Sequence, residues 1–179
     1  TFMLPNSSKL ETDRLKQLIE AIKRVYASTF FQNPKSLLNK SDHRLEEEKM
    51  AIIIMELAGK KHNELFYPSL SGVAQSYNYY PVSYMKRNEG VVFTALGLGK
   101  TIVDGEKSLR FSPKYPKILS QYYSIKSTIN NSQNKFYALD MNKGKNPLKF
   151  GESKNLKKFN LDIAEFDGEL ANIASTITS

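Results

Sequence analysis

Apolar positions near the start of the chain recur at spacings of three and four residues. They are Leu15, Leu18, Ile19, Ile22, Val25, Tyr26 and Phe30. This period places them on one face of an α-helix. The opposite face carries both charge signs, and Glu20 and Arg24 are spaced for an i,i+4 ion pair. The pattern predicts an amphipathic helix that ends at Asn33-Pro34.

The next apolar segment has a different pattern. Residues 50–55 read Met-Ala-Ile-Ile-Ile-Met, without alternation between apolar and polar positions. A continuous apolar run of this length is typical of a strand that is covered on both faces. The segment is therefore predicted to be a central strand of a sheet.

Short β-prone stretches broken by proline and glycine follow it. Strands are predicted at 66–67, 71–76, 89–95, 109–111 and 135–141, with a final pair at 161–166 and 170–178, whereas residues 120–134 form loop or helix. Helices and strands are thus mixed without a repeat of fixed period, which predicts the α+β class.

Composition restricts the chemistry. The chain has 179 residues, 26 Lys+Arg against 18 Asp+Glu, two histidines and no cysteine. The length favours one domain. The lack of cysteine excludes a disulfide framework, thiol catalysis and cysteine-held metals, and two histidines exclude a His-rich metal centre. Any catalysis must therefore use carboxylates, lysines, arginines, hydroxyls or backbone dipoles.

The chain offers no segment for a membrane. No apolar run approaches the roughly 18 to 20 residues that a span needs, and no signal peptide opens the sequence. We therefore expect a cytoplasmic protein without a membrane partner. Because the sequence opens at Thr1 and stops within a β-prone stretch, we expect an excised piece of a longer protein.

A glycine turn follows the predicted strand at 89–95, with the sequence Gly97-Leu98-Gly99-Lys100-Thr101. Glycines let backbone N–H groups approach an anion, and lysine adds a positive charge. The Walker A pattern is incomplete because Thr94 stands at its first glycine, and the dinucleotide fingerprint fails at Ile102.

Three charged residues in and after the turn suit a nucleotide and its metal. Lys100 and Lys107 could neutralise phosphate oxygens, and Asp104 could be a ligand of magnesium. The alternative is a strand-turn-strand whose glycines only permit the bend and whose charges face water. Spacing alone leaves both interpretations open.

Three stretches in order, 50–57, 71–74 and 97–105, resemble the N-terminal ATP-binding domain of the phosphoenolpyruvate synthase and pyruvate, phosphate dikinase family. The resemblance covers about residues 46–112. It implies an ATP-grasp-like α+β subdomain with a mixed or antiparallel sheet and packed helices. In such an architecture ATP lies between two subdomains.

The resemblance also implies which residues bind ATP and Mg²⁺. Adenine would lie at the end of the apolar strand, the phosphates at the glycine turn and its lysines, and magnesium at Asp104. The cofactor-binding residues are Met55, Glu56, Leu57, Ala58, Gly97, Gly99, Lys100 and Lys107. Two departures stand against this: Lys100 occupies a glutamate position of the family, and Val92-Phe93 occupy the place of a strand acid.

The domain is expected to comprise a helical lead-in (1–45), a nucleotide-binding core (46–141), a basic loop (142–160) and terminal strands (161–179). The resemblance implies ATP-dependent phosphorylation of a histidine on another domain, followed by conversion of pyruvate to phosphoenolpyruvate. Partners would be the phosphohistidine and pyruvate-binding domains of the same parent chain, so this fragment would be inactive alone.

Two other functions remain open. Loss of the acid favours a catalytically degenerate nucleotide-sensing or scaffold domain. A basic nucleic-acid-binding module would use Tyr77, Tyr79, Tyr80 and Tyr84 together with the lysines of 142–160. Lysines in a loop without interleaved arginine are usually solvated, so we expect no nucleic-acid partner.

Overall fold

The computed structural model describes residues 2–28, 30–31, 50–142 and 155–174. The chain divides into two compact units. One comprises Thr1–Leu57 and Met141–Leu156, and the other Ala58–Asp140 and Lys157–Ser179. No helix among the described residues is long and apolar enough to cross a membrane.

The amphipathic helix predicted in the first unit is confirmed. Helix α1 spans Glu11–Ser28, with Glu11 and Asp13 in its first turn, where negative charge suits the helix dipole. Arg24 Nε donates to Glu20 Oε1 at 3.0 Å, which confirms the predicted ion pair. The helix ends at Ser28, earlier than the predicted stop at Asn33-Pro34, so Phe30 lies in a turn beyond it. Asn33 and Pro34 themselves lie outside the described residues.

The prediction of a central strand at 50–55 is wrong. These residues belong to no strand, and Ile53 and Met55 are 80% and 82% exposed. An apolar run shows which surface a segment is able to bury, but a strand also needs a neighbouring backbone to pair with. Among the described residues, strand pairing begins only at Lys60.

A four-stranded sheet carries the core of the second unit. Its strands, in spatial order, are β1 (Lys60–His62), β2 (Leu65–Tyr67), β6 (Lys135–Asp140) and β7 (Leu156–Asn160). Strands β1 and β2 form an antiparallel hairpin whose turn contains Asn63 at φ +50°, a conformation that asparagine tolerates. Tyr67 and Phe136 are fully buried, with ring centroids 4.8 Å apart.

A second sheet has three antiparallel strands, β3 (Ser71–Gln75), β4 (Val91–Ala95) and β5 (Leu109–Phe111), with β4 in the middle. In this register Phe93 lies opposite Val73 on one side and Arg110 on the other. The strands predicted at 71–76, 89–95, 109–111 and 135–141 are thereby confirmed. Helices and antiparallel sheets together confirm the α+β class.

Four short α-helices and a 3-10 helix at Arg87–Glu89 complete the described part of the fold. The α-helices follow in chain order. They are α2 (Lys100–Val103), α3 (Ile125–Asn131), α4 (Leu161–Phe166) and α5 (Leu170–Ile173). Ser124 caps α3, since its Oγ accepts a hydrogen bond from the Ser127 N–H at 3.1 Å.

The terminal part of the chain corrects two predictions. Residues 161–166 and 170–173 are helices rather than the predicted strands, and Leu156–Asn160 is a strand rather than part of the predicted basic loop. The sequence 161–166 alternates like a strand, but the buried residue is Ala164 and Phe166 is 86% exposed. Gly168, at φ +77°, separates the two helices.

Candidate functional site

The glycine turn is packed against strand β6. Gly97 has φ +84°, and a Cβ there would lie 2.7 Å from the Tyr137 carbonyl oxygen. The N–H of Gly97 donates to Pro68 O at 3.2 Å, and that of Leu98 donates to Tyr137 O at 2.8 Å. The fold therefore requires glycine at 97, and these two amides already have acceptors.

Gly99 differs from Gly97 in both conformation and surroundings. It precedes α2 with φ −59°, and a Cβ added to it would meet nothing within 4 Å. The bend of the chain therefore does not require glycine at this position. Of the two predicted glycines, Gly99 is the one that leaves space for a ligand.

Gln133 fixes the residue before the turn and was not identified from the sequence. Its side-chain Oε1 accepts from the Leu96 N–H at 2.9 Å, and its Nε2 donates to Leu96 O at 3.0 Å. One amide side chain thus pairs both polar backbone groups of Leu96, which is 3% exposed. This pairing holds the end of β4 and hence the position of the turn.

Predicted site residues Lys100 and Asp104 belong to a charged network around Tyr137. Lys100 Nζ lies 3.0 Å from Asp104 Oδ2, and Lys158 Nζ lies 2.5 Å from Glu106 Oε1. The Tyr137 hydroxyl lies 3.2 Å from Glu106 Oε1 and 3.4 Å from Asp104 Oδ2, and its single proton is donated to the nearer Glu106. We call these five residues the Tyr137 network. It contains two cations and two anions, so its charges balance.

The network fixes the protonation of two of its members. Burial, together with the Glu106 acceptor, raises the pKa of the Tyr137 hydroxyl. The hydrogen bond to Glu106 raises the pKa of Lys158. At neutral pH the phenol therefore keeps its proton and Lys158 keeps its charge. The sequence predicts a loop at Lys158, but this residue lies in strand β7, which brings it to the network.

The described residues do not fit a resident magnesium ion. Proteins usually hold Mg²⁺ with one or two carboxylates plus substrate phosphates. Asp104 and Glu106 are near one hydroxyl, but each is already paired with a lysine. Within the described ranges, no cluster of three or more acidic or histidine side chains could hold a metal. An ion at Asp104 would have to displace Lys100.

Lys107 lines a cleft of about 340 Å³ beside β4 and β5, which shares Glu106 with the Tyr137 network. Phe93 and Ile102 form its apolar walls, and its charged and amide side chains are Glu106, Lys107, Arg110, Gln121 and Asn131. We call this the Arg110 cleft. It combines apolar walls, two cations, one acid and two amides, a mixture typical of small-molecule sites.

Arg110 is the main residue of this cleft that sequence reasoning missed. Its Nη2 donates to Asn78 Oδ1 at 3.1 Å and to the Tyr80 carbonyl oxygen, and its guanidinium carbon lies 5.5 Å from the Phe93 ring centroid. Its Nε is buried without a hydrogen-bond partner. The sequence does contain one indication of its role, because Arg110 stands between two apolar residues of a predicted strand.

The predicted adenine segment lies outside both features. Met55, Glu56 and Leu57 belong to the first unit, and Ala58 opens the second. All four are exposed, Met55 by 82%. Their contact with adenine stays a prediction.

A glycine turn held against an antiparallel sheet, beside a cleft with two cations, defines an α+β protein suited to a phosphate-bearing ligand. The family model described as the pyruvate phosphate dikinase AMP/ATP-binding domain matches residues 6–179. The chain therefore belongs to this family, whose domain has an ATP-grasp-like fold. No curated protein and no solved structure matches it.

Proposed function

We propose that this chain binds ATP as the nucleotide-binding part of a phosphoenolpyruvate synthase-like phosphotransferase. The observation that carries the proposal is the family match over residues 6–179. In the proposed reaction, ATP phosphorylates a histidine on another domain of the parent protein. That phosphoryl group then reaches pyruvate and forms phosphoenolpyruvate. The balanced reaction converts ATP, pyruvate and water into phosphoenolpyruvate, AMP and inorganic phosphate.

The contribution of this chain to such a reaction would be electrostatic. Phosphoryl transfer depends mainly on positioning and on neutralising the charge of the phosphate oxygens. Lys100 and Lys107 are the cations proposed for this role, and Gly99 provides the close backbone approach. Gly97 would act indirectly, since its positive φ holds the bend. Adenine would contact residues 55–58.

We propose no essential magnesium ligand among the described residues, since both carboxylates of the Tyr137 network are paired with lysines. Magnesium bound to ATP would itself neutralise phosphate charge. ATP binding to this chain should therefore depend weakly on added magnesium.

One observation favours a second function, a catalytically degenerate nucleotide sensor or scaffold. Lys100 stands where the family resemblance places glutamate, and it forms an ion pair with Asp104. The exchange of an acid for a base would alter metal-dependent chemistry more than nucleotide affinity. Binding without transfer is the behaviour that this alternative predicts.

Calorimetric titration of the full chain with ATP, with and without magnesium, tests the binding. We expect saturable binding with one ATP per chain in both conditions. Adenosine is the matched control, because it presents the base without phosphates. Lack of saturation by ATP at millimolar concentration would overturn the proposal.

A second experiment separates the enzyme from the sensor. The chain is incubated with ATP labelled in its phosphates and with the purified histidine-bearing domain of a phosphoenolpyruvate synthase. Label on that domain, dependent on this chain, supports phosphotransfer. If ATP binds but the acceptor stays unlabelled, the sensor or scaffold function replaces it.

A further inference from the structure

The walls of the Arg110 cleft are held in place by the protein's own hydrogen bonds. Gln121 Oε1 accepts from the Arg110 N–H at 2.8 Å, and Gln121 Nε2 donates to Ser108 O at 3.2 Å. Asn131 Nδ2 donates to Gln121 O at 3.1 Å and to Ser127 Oγ at 3.0 Å. These contacts tie β5, the following loop and α3 together. The cleft is therefore formed without a ligand, which reduces the ordering cost of binding.

The guanidinium of Arg110 is held in a fixed orientation. Asn78 and the Tyr80 carbonyl hold its Nη2, and the Phe93 ring lies against it. Its buried Nε has no partner. A buried N–H without an acceptor is unfavourable by roughly 1–3 kcal/mol. An anion is indicated instead by the two cations that line the cleft.

The charge of the cleft is not balanced within the described part of the chain. Among the residues that the structure describes, neither Lys107 nor Arg110 forms an ion pair. Glu106 also lines the cleft, but Lys158 pairs with it at 2.5 Å. The remaining charge is that of two cations on one small concave surface. An anion with several acceptor oxygens would complement both of them.

From these observations we propose that the Arg110 cleft binds a phosphate group, with Arg110 and Lys107 as its cationic donors. Arginine suits phosphate because its planar fork matches the oxygen geometry, whereas lysine adds a point charge. The phosphate belongs either to the tail of a nucleotide or to free inorganic phosphate. The nucleotide case rests on the proposed function, and the inorganic case does not.

The test measures binding of inorganic phosphate, ATP and adenosine to the full chain by calorimetry. Lys107→Gln is the main variant because its side chain is exposed and should leave folding intact. Arg110→Lys keeps the charge but removes the fork. Lys117→Gln, exposed and outside the cleft, is the matched control. Thermal unfolding of each variant verifies the fold.

We expect Lys107→Gln and Arg110→Lys each to weaken phosphate-dependent binding about tenfold, and Lys117→Gln to leave it within twofold. If phosphate and ATP compete for binding, and the cleft variants weaken the binding of both, the cleft binds the phosphate tail of the nucleotide. Arg110-dependent binding of phosphate without any ATP binding supports the cleft and refutes the proposed function. ATP binding that neither cleft variant alters overturns the cleft and the proposed role of Lys107, but leaves ATP binding by the chain standing.

Equal weakening by all three variants indicates a general charge effect and overturns the inference. So does saturable adenosine binding with the same affinity as ATP, since adenosine carries no phosphate. If Arg110→Lys unfolds, Lys107→Gln alone decides between these outcomes.

Discussion

Two parts of the second unit differ in whether their ionisable groups are paired with other groups of the protein. In the four-stranded sheet, the fully buried Tyr67 donates to Asp167 Oδ2 at 2.6 Å, and the His62 ring stacks on it at 4.3 Å. In the Arg110 cleft, two cations lack an ion-pair partner among the described residues. In the first, hydrogen-bonding and charged groups of the protein face one another, although His62 Nε2 and Glu169 Oε2 are buried without a hydrogen-bond partner. In the second, two cations have no paired anion among the described residues, so this cleft is the better candidate for ligand binding.

The buried group, which we call the Tyr67 cluster, connects distant parts of the chain. Its members are His62, Tyr67, Asp167 and Glu169, with His62 Nε2 3.7 Å from Glu169 Oε1. Asp167 and Glu169 flank Gly168 in the turn between α4 and α5. The cluster thus attaches the last two helices to the β1–β2 hairpin. Its contacts should control stability, whereas the Arg110 cleft should control binding.

The largest expected effect is at Phe136, which packs against Tyr67. Its side chain is fully buried and tilted against the Tyr67 ring. Phe136→Ala should lower the free energy of unfolding by about 3–5 kcal/mol, since it removes buried apolar surface and leaves a cavity. Urea denaturation measures this loss. The control is Phe166→Ala, at a side chain 86% exposed, with a change within about 0.5 kcal/mol. Similar losses in both variants would contradict the placement of the core.

The two glycines of the turn provide the next comparison. Gly97→Ala should destabilise by about 1–3 kcal/mol, because alanine is strained at φ +84° and its Cβ would meet the Tyr137 carbonyl. Gly99→Ala should not destabilise, since its φ is −59° and its surroundings are open. If Gly99 approaches a phosphate, however, Gly99→Ala weakens ATP binding. Thermal unfolding and ATP calorimetry on both variants measure the two effects. A stability loss at 99 equal to that at 97 would refute the distinction.

Features that neighbouring residues determine were predicted correctly from the sequence. Features that depend on residues far away in the chain were not. Strands β3 and β4 were predicted because β-prone residues bounded by glycine and proline determine them locally. The strand prediction for residues 50–55 failed because strand formation depends on a neighbouring backbone to pair with. The strand predictions for the terminal segments failed because short segments with mixed patterns take their structure from packing, as at Ala164.

The candidate site was only partly predictable for the same reason. Lys107 was identified because it follows the glycine turn in the sequence. Arg110 was missed because its role depends on Asn78, 32 positions away. The bond between Tyr67 and Asp167 spans 100 positions. No local pattern specifies such contacts, which arise only when the sheets and helices are assembled.

The Tyr67 hydroxyl gives a prediction about pH. Burial, then the hydrogen bond to Asp167, raises its pKa well above the ordinary value of 10.0. Above about pH 10 the unfolded chain loses this proton while the folded chain keeps it, so stability falls as pH rises. Tyr67→Phe should cost about 1–2 kcal/mol at neutral pH, because Asp167 loses its donor.

The alkaline decline of stability should also be shallower in Tyr67→Phe than in the unmodified chain. Urea denaturation between pH 8 and pH 11 measures both the loss at neutral pH and the slope. The control is Tyr123→Phe, at a side chain 83% exposed, which should reproduce the profile of the unmodified chain. An unchanged slope in Tyr67→Phe would contradict the raised pKa.

The smallest effect on stability is expected at Asp104, which forms an ion pair within the fold and is also a predicted site residue. Its ion pair with Lys100 is partly exposed, with side-chain exposures of 35% and 24%. Such i,i+4 pairs contribute about 0.3–0.5 kcal/mol, and salt screens them. Asp104→Asn should therefore change the unfolding free energy by no more than about 0.5 kcal/mol. It also removes one negative charge beside Lys100, so ATP should bind equally well or up to about twofold more tightly. Calorimetry with and without magnesium distinguishes the two roles of this residue. A loss of affinity that occurs only with magnesium would assign Asp104 as a metal ligand, and would show that its pairing with Lys100 is broken when ATP binds.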